Sequence, residues 1–251
     1  MYKNETRYAL INGVLLDGTR DMIPQTGKVV CVEGGKIAAV TEGPVPAGYE
    51  PVDLAGRYIL PGLINLHVHL PASGKPKKKP SDPKKLLKLI TSNGLMRRVG
   101  VKLCESYART ELLSGVTTVR TVGGVADFDT IIRDRAAAGE ILGPRVVASN
   151  MAVSVPGGHM AGSLAYEART PEEAAAYVER IAAEKPDLIK LMITGGVMDA
   201  EVVGEPGVLR MEPPLVKAAC DRAHGLGMKV AAHVESPEGV RVALENGVDS
   251  I

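Results

Sequence analysis

The chain has 251 residues, 45% of them apolar, with 28 Gly, 17 Pro and a formal charge of +1. That length allows one large domain or two small ones, and the near-neutral balance removes any global bias toward nucleic acid or membrane surfaces. One Phe, seven Tyr and no Trp leave few stacking platforms for single-stranded nucleic acid, whereas Val, Ile, Leu and Ala suit buried parallel strands under helices.

Residues 1–58 predict a small all-β sandwich module. Tyr8–Ile11 and Val14–Leu16 flank Asn12-Gly13, a strong hairpin signal. Lys28–Glu33 meets Lys36–Val40 across Gly34-Gly35 as a second hairpin, and Val52–Leu54 meets Tyr58–Leu60 across Ala55-Gly56-Arg57 as a third. So short a module has little core of its own and is expected to lean on the rest of the chain. No signal core follows Met1–Arg7 and no run reaches the ~18 apolar residues of a membrane span, so the expected location is cytoplasmic, without membrane contact.

Over residues 59–251 the pattern changes to strand, loop and helix, repeated. Strands are expected at 63–69, 116–122, 145–149, 188–194 and 229–234, and helices at about 101–114, 127–138, 171–184, 213–225 and 237–246. Thr170-Pro171-Glu172-Glu173 reads as an N-cap, a first-turn proline and a capping-box acid, and Ser236-Pro237 opens the last helix in the same style. Gly115, Gly139 and Gly225 sit where left-handed C-caps belong. Alternating strands and helices imply a parallel arrangement, either an open sheet or a closed barrel. Cys31, Cys104 and Cys220 are too scattered for a disulfide framework or a CxxC knuckle and are expected to be small buried hydrophobes. Gly74–Lys85 is basic and Pro-rich, which predicts a solvated, mobile loop. Its sharper reading is an active-site lid whose lysines attract anionic substrates. Nothing nearby supports a nucleic-acid patch.

The chemistry-bearing residues gather at strand ends. The strand Leu63–His69 ends in His67-Val68-His69, and period-two alternation points both imidazoles the same way, as half of a metal site. Lys190 lies inside the apolar strand Leu188–Ile193. Desolvation there lowers its pKa and leaves a nucleophilic amine able to capture carbon dioxide as a carbamate. His233 falls near the end of Lys229–Val234. These four residues all occupy the C-terminal ends of βα strands, where barrel enzymes keep their active sites. His159, between Gly157-Gly158 and Gly162, is a candidate substrate or oxyanion contact, because glycines let backbone approach a ligand. His224, just before Gly225, is expected only to bond terminal helix carbonyls.

With these residues in place the chain resembles the amidohydrolase superfamily of metal-dependent hydrolases. The resemblance is carried by Asp53–Gly62 leading into Leu63–His69, by Ile189-Lys190-Leu191-Met192 with Gly195-Gly196, and by Ala232-His233. Gly157-Gly158-His159 and Thr194–Val197 look most like the prolidase-like and imidazolonepropionase-like members. The resemblance implies a (β/α)8 TIM-type barrel preceded by the β module. It also implies two divalent ions, with zinc expected, His67 and His69 on the more buried one and His233 on the more exposed one. Carboxylated Lys190 would bridge them, and His159 would polarise or hold the substrate carbonyl. The family's histidine on strand six and its catalytic aspartate on strand eight have no counterpart before Ile251, so no general base is expected on this chain. About five of eight units are present. The expectation is therefore a fragment, inactive alone and completed by a missing C-terminal half or by another copy. The implied reaction is hydrolysis of an amide C–N bond in a dipeptide or N-acyl amino acid. The alternatives are a cyclic-amide hydrolase of the imidazolonepropionase kind and a non-catalytic barrel scaffold. Val234-Glu235 after His233 departs from the family pattern and points to a different substrate pocket.

Overall fold

A computed structural model describes residues 6–74, 83–197, 200 and 207–251. The chain divides into two compact units, Met1–Gly62 and Leu63–Ile251.

Among the described residues every regular element of the first unit is a strand: β1 (Tyr8–Ile11), β2 (Val14–Leu15), β3 (Lys28–Glu33), β4 (Lys36–Glu42), β5 (Glu50–Asp53) and β6 (Tyr58–Ile59). The Gly34-Gly35 hairpin forms as expected, with Glu33 opposite Lys36 and both glycines at positive φ, the mirror-type turn that matches strand twist. The other two expected hairpins do not form. β1 pairs antiparallel with β3 and parallel with β5, while β2 pairs parallel with β6. At Asn12-Gly13 only Asn12 takes a positive φ, so the two-residue hairpin turn is not made and the chain steps sideways into a second sheet. The corner at Ala55-Gly56 makes the same step beside it, tied by Gly56 N–H to Asn12 O at 2.7 Å and Val14 N–H to Arg57 O at 3.0 Å. Gly13 gives the corner room: a Cβ would sit 2.7 Å from Leu54 Cδ1 and 3.1 Å from Arg57 O. Ala9, Val29 and Cys31 form the small core of this unit.

In the second unit β7 (Leu63–Val68), β8 (Val116–Thr121) and β9 (Arg145–Val147) are parallel neighbours. A second parallel set runs β11 (Ala165–Glu167), β10 (Ala152–Ser154), β12 (Leu188–Met192) and β13 (Lys229–His233). The two sets join where the Asp187 and Leu188 N–H groups reach Ala148 O, at 2.7 and 3.4 Å. Past β13, Ala231 bridges Ser250 in parallel fashion. The helices are α1 (Pro83–Ile90), α2 (Gly94–Leu113), α3 (Phe128–Ala137), α4 (Pro171–Ala182), α5 (Pro213–Gly225) and α6 (Pro237–Glu245). Helices α2, α3, α4 and α5 each cross between successive parallel strands.

Local chemistry accounts for most of these boundaries. Thr170 Oγ1 accepts from Glu173 N–H at 3.2 Å, and Glu173 reaches back to Arg169 N–H at 2.7 Å. Ser236 caps α6 through Gly239 N–H. Gly115 and Gly139 take the left-handed φ expected of them. Gly225 remains inside α5, and Gly227 takes the left-handed turn in its place. Helix α2 begins seven residues before its expected start because the Asn93 side chain accepts from Met96 N–H.

Strand β12 is buried on both faces. Ile189 and Leu191 share a core with Val178 and Ile181 of α4 and Val216 and Ala219 of α5. Leu188 packs with Val122 and Ala231, and Met192 with Ala152 and Ala165. Alternation therefore puts Lys190 on the face away from α4 and α5. The three cysteines are buried and unbridged, as expected. Among the described residues, no helix is long and apolar enough to cross a membrane. Of the basic loop, residues 75–82 lie outside the described residues, and α1 begins at Pro83.

Candidate metal centre

The site begins at the end of β7. His67 and His69 follow Asn65 on one face of the strand, with ring centroids 5.4 Å apart. Both line a cleft of about 540 Å³ whose other wall is α2, including Tyr107 and Thr110. From β12, Lys190 is 1% exposed, and it lies in register with Ala231, two residues before His233. Parallel register puts Lys190 and His233 on the same face. His159, 8% exposed, stacks its ring on His233 at 4.2 Å. A Cβ on Gly196 would sit 2.6 Å from the His159 ring, so glycine there permits the stack.

Burial dominates the electrostatics. Desolvation pushes Lys190 down to about 7, helped by the nearby Arg120 charge. It also pulls His67 down to about 4, with Lys190, His69, His233 and Arg120 adding repulsion. His69 and His233 are lowered by burial as well, against the hydrogen bonds each makes to a backbone carbonyl. All three imidazoles are thus neutral at neutral pH, the state in which a ring nitrogen keeps a lone pair for a cation.

Two carbonyls settle which nitrogen is free. His69 Nδ1 lies 2.9 Å from Gly123 O, and His233 Nε2 lies 3.1 Å from Gly195 O. A carbonyl only accepts, so these nitrogens carry the protons. That leaves His69 Nε2 and His233 Nδ1 as donors of electron pairs. Glu235 Oε1 is 3.6 Å from the same His233 Nε2. Among the described residues, no group of three or more His, Cys, Asp or Glu side chains is close enough together to hold a metal ion. The donor set is instead three histidines, His67, His69 and His233, electrostatically coupled to an amine, which suits ions only once Lys190 gains acidic oxygens. In that form the residues fit a divalent cation such as zinc.

The five residues singled out from sequence thus fall into one region of the second unit, with His67, His69 and His233 all coupled to Lys190. Arg120 was missed: its strand, with three threonines beside two valines, is polar enough that a cation in it gives no signal of the kind Lys190 gives. It holds Leu66 O and Ser250 Oγ, each at 2.9 Å. The carbonyls of Gly123 and Gly195 carry no side-chain signal at all. His224 corrects its expectation: it bonds Asp249 Oδ2 at 2.9 Å. That carboxylate, held down to about 2, feels a burial penalty that is outweighed by bonds from Lys229, His224 and Val230 N–H.

Comparison with known proteins gives the class. The amidohydrolase family matches residues 58–251. The chain belongs to this family. A solved prolidase candidate from Bifidobacterium longum superposes with a TM-score of 0.74 and 33% identity, covering 98% of this chain and 54% of that one. A Xaa-Pro dipeptidase solved with methionine in its active site gives 0.75 and 27%, over 98% of this chain and 61% of that one. An imidazolonepropionase from Hyphomonas neptunium is 59% identical over 34 residues, 14% of this chain and 8% of that protein. The chain spans about half to three-fifths of the length of the two solved structures.

Proposed function

We propose that the chain carries the first five strand–helix units of a (β/α)8 barrel and the metal-binding half of a site that hydrolyses an amide bond in a dipeptide or N-acyl amino acid. The general class, hydrolysis of a C–N bond, follows from membership of the amidohydrolase family. The observation that carries the finer reading is Lys190: an amine almost without solvent contact, coupled to three neutral histidines.

Desolvation prepares Lys190 for carbamate formation. Its neutral Nζ adds to the carbon of carbon dioxide, a C–N bond forms, and a proton leaves to solvent. The resulting carbamate carries one negative charge shared over two oxygens, and would offer both as carboxylate-type ligands to divalent ions. His67 and His69 would hold one ion through ring nitrogens, and His233 would hold the other through Nδ1. A bound pair of divalent ions, zinc being the expected metal, supplies an acidified water and a polarised carbonyl. His159, whose ring stacks on His233, would orient a substrate carbonyl. The prolidase candidate and the Xaa-Pro dipeptidase support a dipeptide substrate. The 34-residue likeness to an imidazolonepropionase supports a cyclic amide as the second reading.

The test is elemental analysis of this chain, and dipeptide hydrolysis by a protein in which the barrel is complete, for wild type and Lys190→Ala, with and without bicarbonate or a short carboxylic acid. Lys190→Ala should lose metal and reduce turnover by at least ~100-fold, on the scale of lost activation of a metal-bound water. A short carboxylate should restore part of both. Undiminished hydrolysis by Lys190→Ala without any added acid would sink the carbamate reading.

A further inference from the structure

The His69 imidazole is held by Gly123 O, and that carbonyl belongs to a loop with a built support. Gly123 has a φ of +123°, and a Cβ there would lie 3.4 Å from His69 Cε1 and 3.2 Å from Met192 Cε. Its N–H donates to Ser149 Oγ at 2.8 Å, and Ser149 N–H donates to Thr121 Oγ1 at 2.9 Å. The next N–H, of Gly124, donates to Asn150 O at 2.7 Å.

Asn150 sits at φ +57°, the left-handed region that asparagine tolerates better than other residues with a Cβ, and it is tied there by its side chain and its N–H. Its side chain accepts from Thr130 N–H at 3.1 Å and donates to Glu184 Oε2 at 3.0 Å. Its own N–H donates to Asp129 Oδ2 at 3.2 Å. Asp129, the second residue of α3, is 0% exposed and lies flat against the loop: a Cβ on Gly124 would be 2.5 and 2.6 Å from its two carboxyl oxygens. Asp129 Oδ1 makes no well-formed hydrogen bond among the described residues, and the Thr121 side chain is the other polar group facing the carboxyl.

A buried carboxyl that is half satisfied is a poor choice for stability, since a well-packed apolar side chain avoids its desolvation. An apolar side chain cannot, however, accept the Asn150 N–H. From this geometry we propose that Asp129 is a positioning residue for the metal site. It fixes the left-handed turn at Asn150, Asn150 fixes Gly123-Gly124, and Gly123 O locks His69 with Nδ1 protonated and Nε2 presented. The inference rests on the reading that His69 is a metal ligand, but its structural half can be tested without metal.

The experiment uses the metal-free 251-residue chain with ¹⁵N-labelled histidine, and reads the tautomer of His69 from its two ring-nitrogen shifts. Wild type should show one tautomer, with the proton on Nδ1. Asp129→Ala should average the two tautomers, whereas Asp129→Asn, which keeps an oxygen facing Asn150, should retain the wild-type pattern. His224, held separately by Asp249, is the internal control and should not move. In chelator competition Asp129→Ala should bind zinc about 10-fold more weakly or worse. If Asp129→Ala does not fold, Ser149→Ala removes the hydroxyl beneath Gly123 and should give the same averaging. A wild-type tautomer pattern in Asp129→Ala, or in Ser149→Ala where that variant is used, overturns the proposal. If wild type takes up no zinc even with bicarbonate present, the metal reading fails instead, and the tautomer comparison still decides the role of Asp129.

Discussion

Lys190 is the residue whose placement departs most from what stability alone would choose. Its folded pKa of about 7 lies far below the ordinary 10.5, and burial is the cause. Below about 7 the folded and unfolded chains both hold the proton, and the full burial penalty applies. Between about 7 and 10.5 the unfolded chain binds the extra proton, so the free energy of unfolding rises with pH. In metal-free buffer purged of carbon dioxide, wild type should therefore gain about 1.4 kcal/mol per pH unit over that window relative to Lys190→Met. Urea unfolding at a series of pH values reads the difference directly. Parallel curves for the two proteins would mean that the amine is solvated in the folded state. The lysine itself was legible from sequence as a cation inside an apolar strand. The tautomers of His69 and His233 were not, because they depend on main-chain carbonyls of Gly123 and Gly195, which any residue type would supply.

At the scale of elements, the long strand–helix alternation of the second unit could be read directly, and β7, β8, β12 and β13 lie within two residues of their expected ranges. The failures share a cause. Strands β10 and β11 are three residues each, too short for period-two alternation to show, and exist because they find a parallel neighbour. The unexpected first turns of α2 contain Gly94 and Gly100, which weaken a helical signal. Gly100 is nevertheless needed for packing: a Cβ there would lie 2.8 Å from Phe128 Cε2 and 3.2 Å from Ile90 Cβ. Phe128 is fully buried and cannot step aside. Gly100→Ala should thus destabilise by about 1–2 kcal/mol, overpacking outweighing the ~1 kcal/mol gain in helix propensity. A thermal melt would show the sign; a raised midpoint would mean that α2 and α3 have room to separate.

For the whole molecule, β7 is the decisive element. It pairs with β8 and is otherwise an edge among the described strands, and Leu63, Ile64 and Leu66 are 52%, 64% and 57% exposed. An open edge with apolar side chains invites pairing with another chain. The chain is expected to self-associate as its concentration rises, and Ile64→Lys should shift sedimentation toward the monomer by placing a charge on that strand. A monomer at all concentrations in both proteins would show that the edge is shielded. A further strand and helix of a complete barrel would cover the same side chains, in keeping with the proposed barrel.

Sequence alone determined five of the seven strands and five of the six helices described in the second unit, the caps at Thr170 and Ser236, and the identity of the metal-site candidates. These are local properties: residue periodicity, capping chemistry and residue type act within a few positions of the chain. Tertiary structure alone decided that β1 and β2 part into separate sheets, that Arg120 joins the site, and that Asp129 and Asn150 stand behind His69. Those depend on contacts between residues far apart in sequence. For them, hydrogen-bond partners and solvent exclusion, set by packing, override what each segment would prefer in isolation.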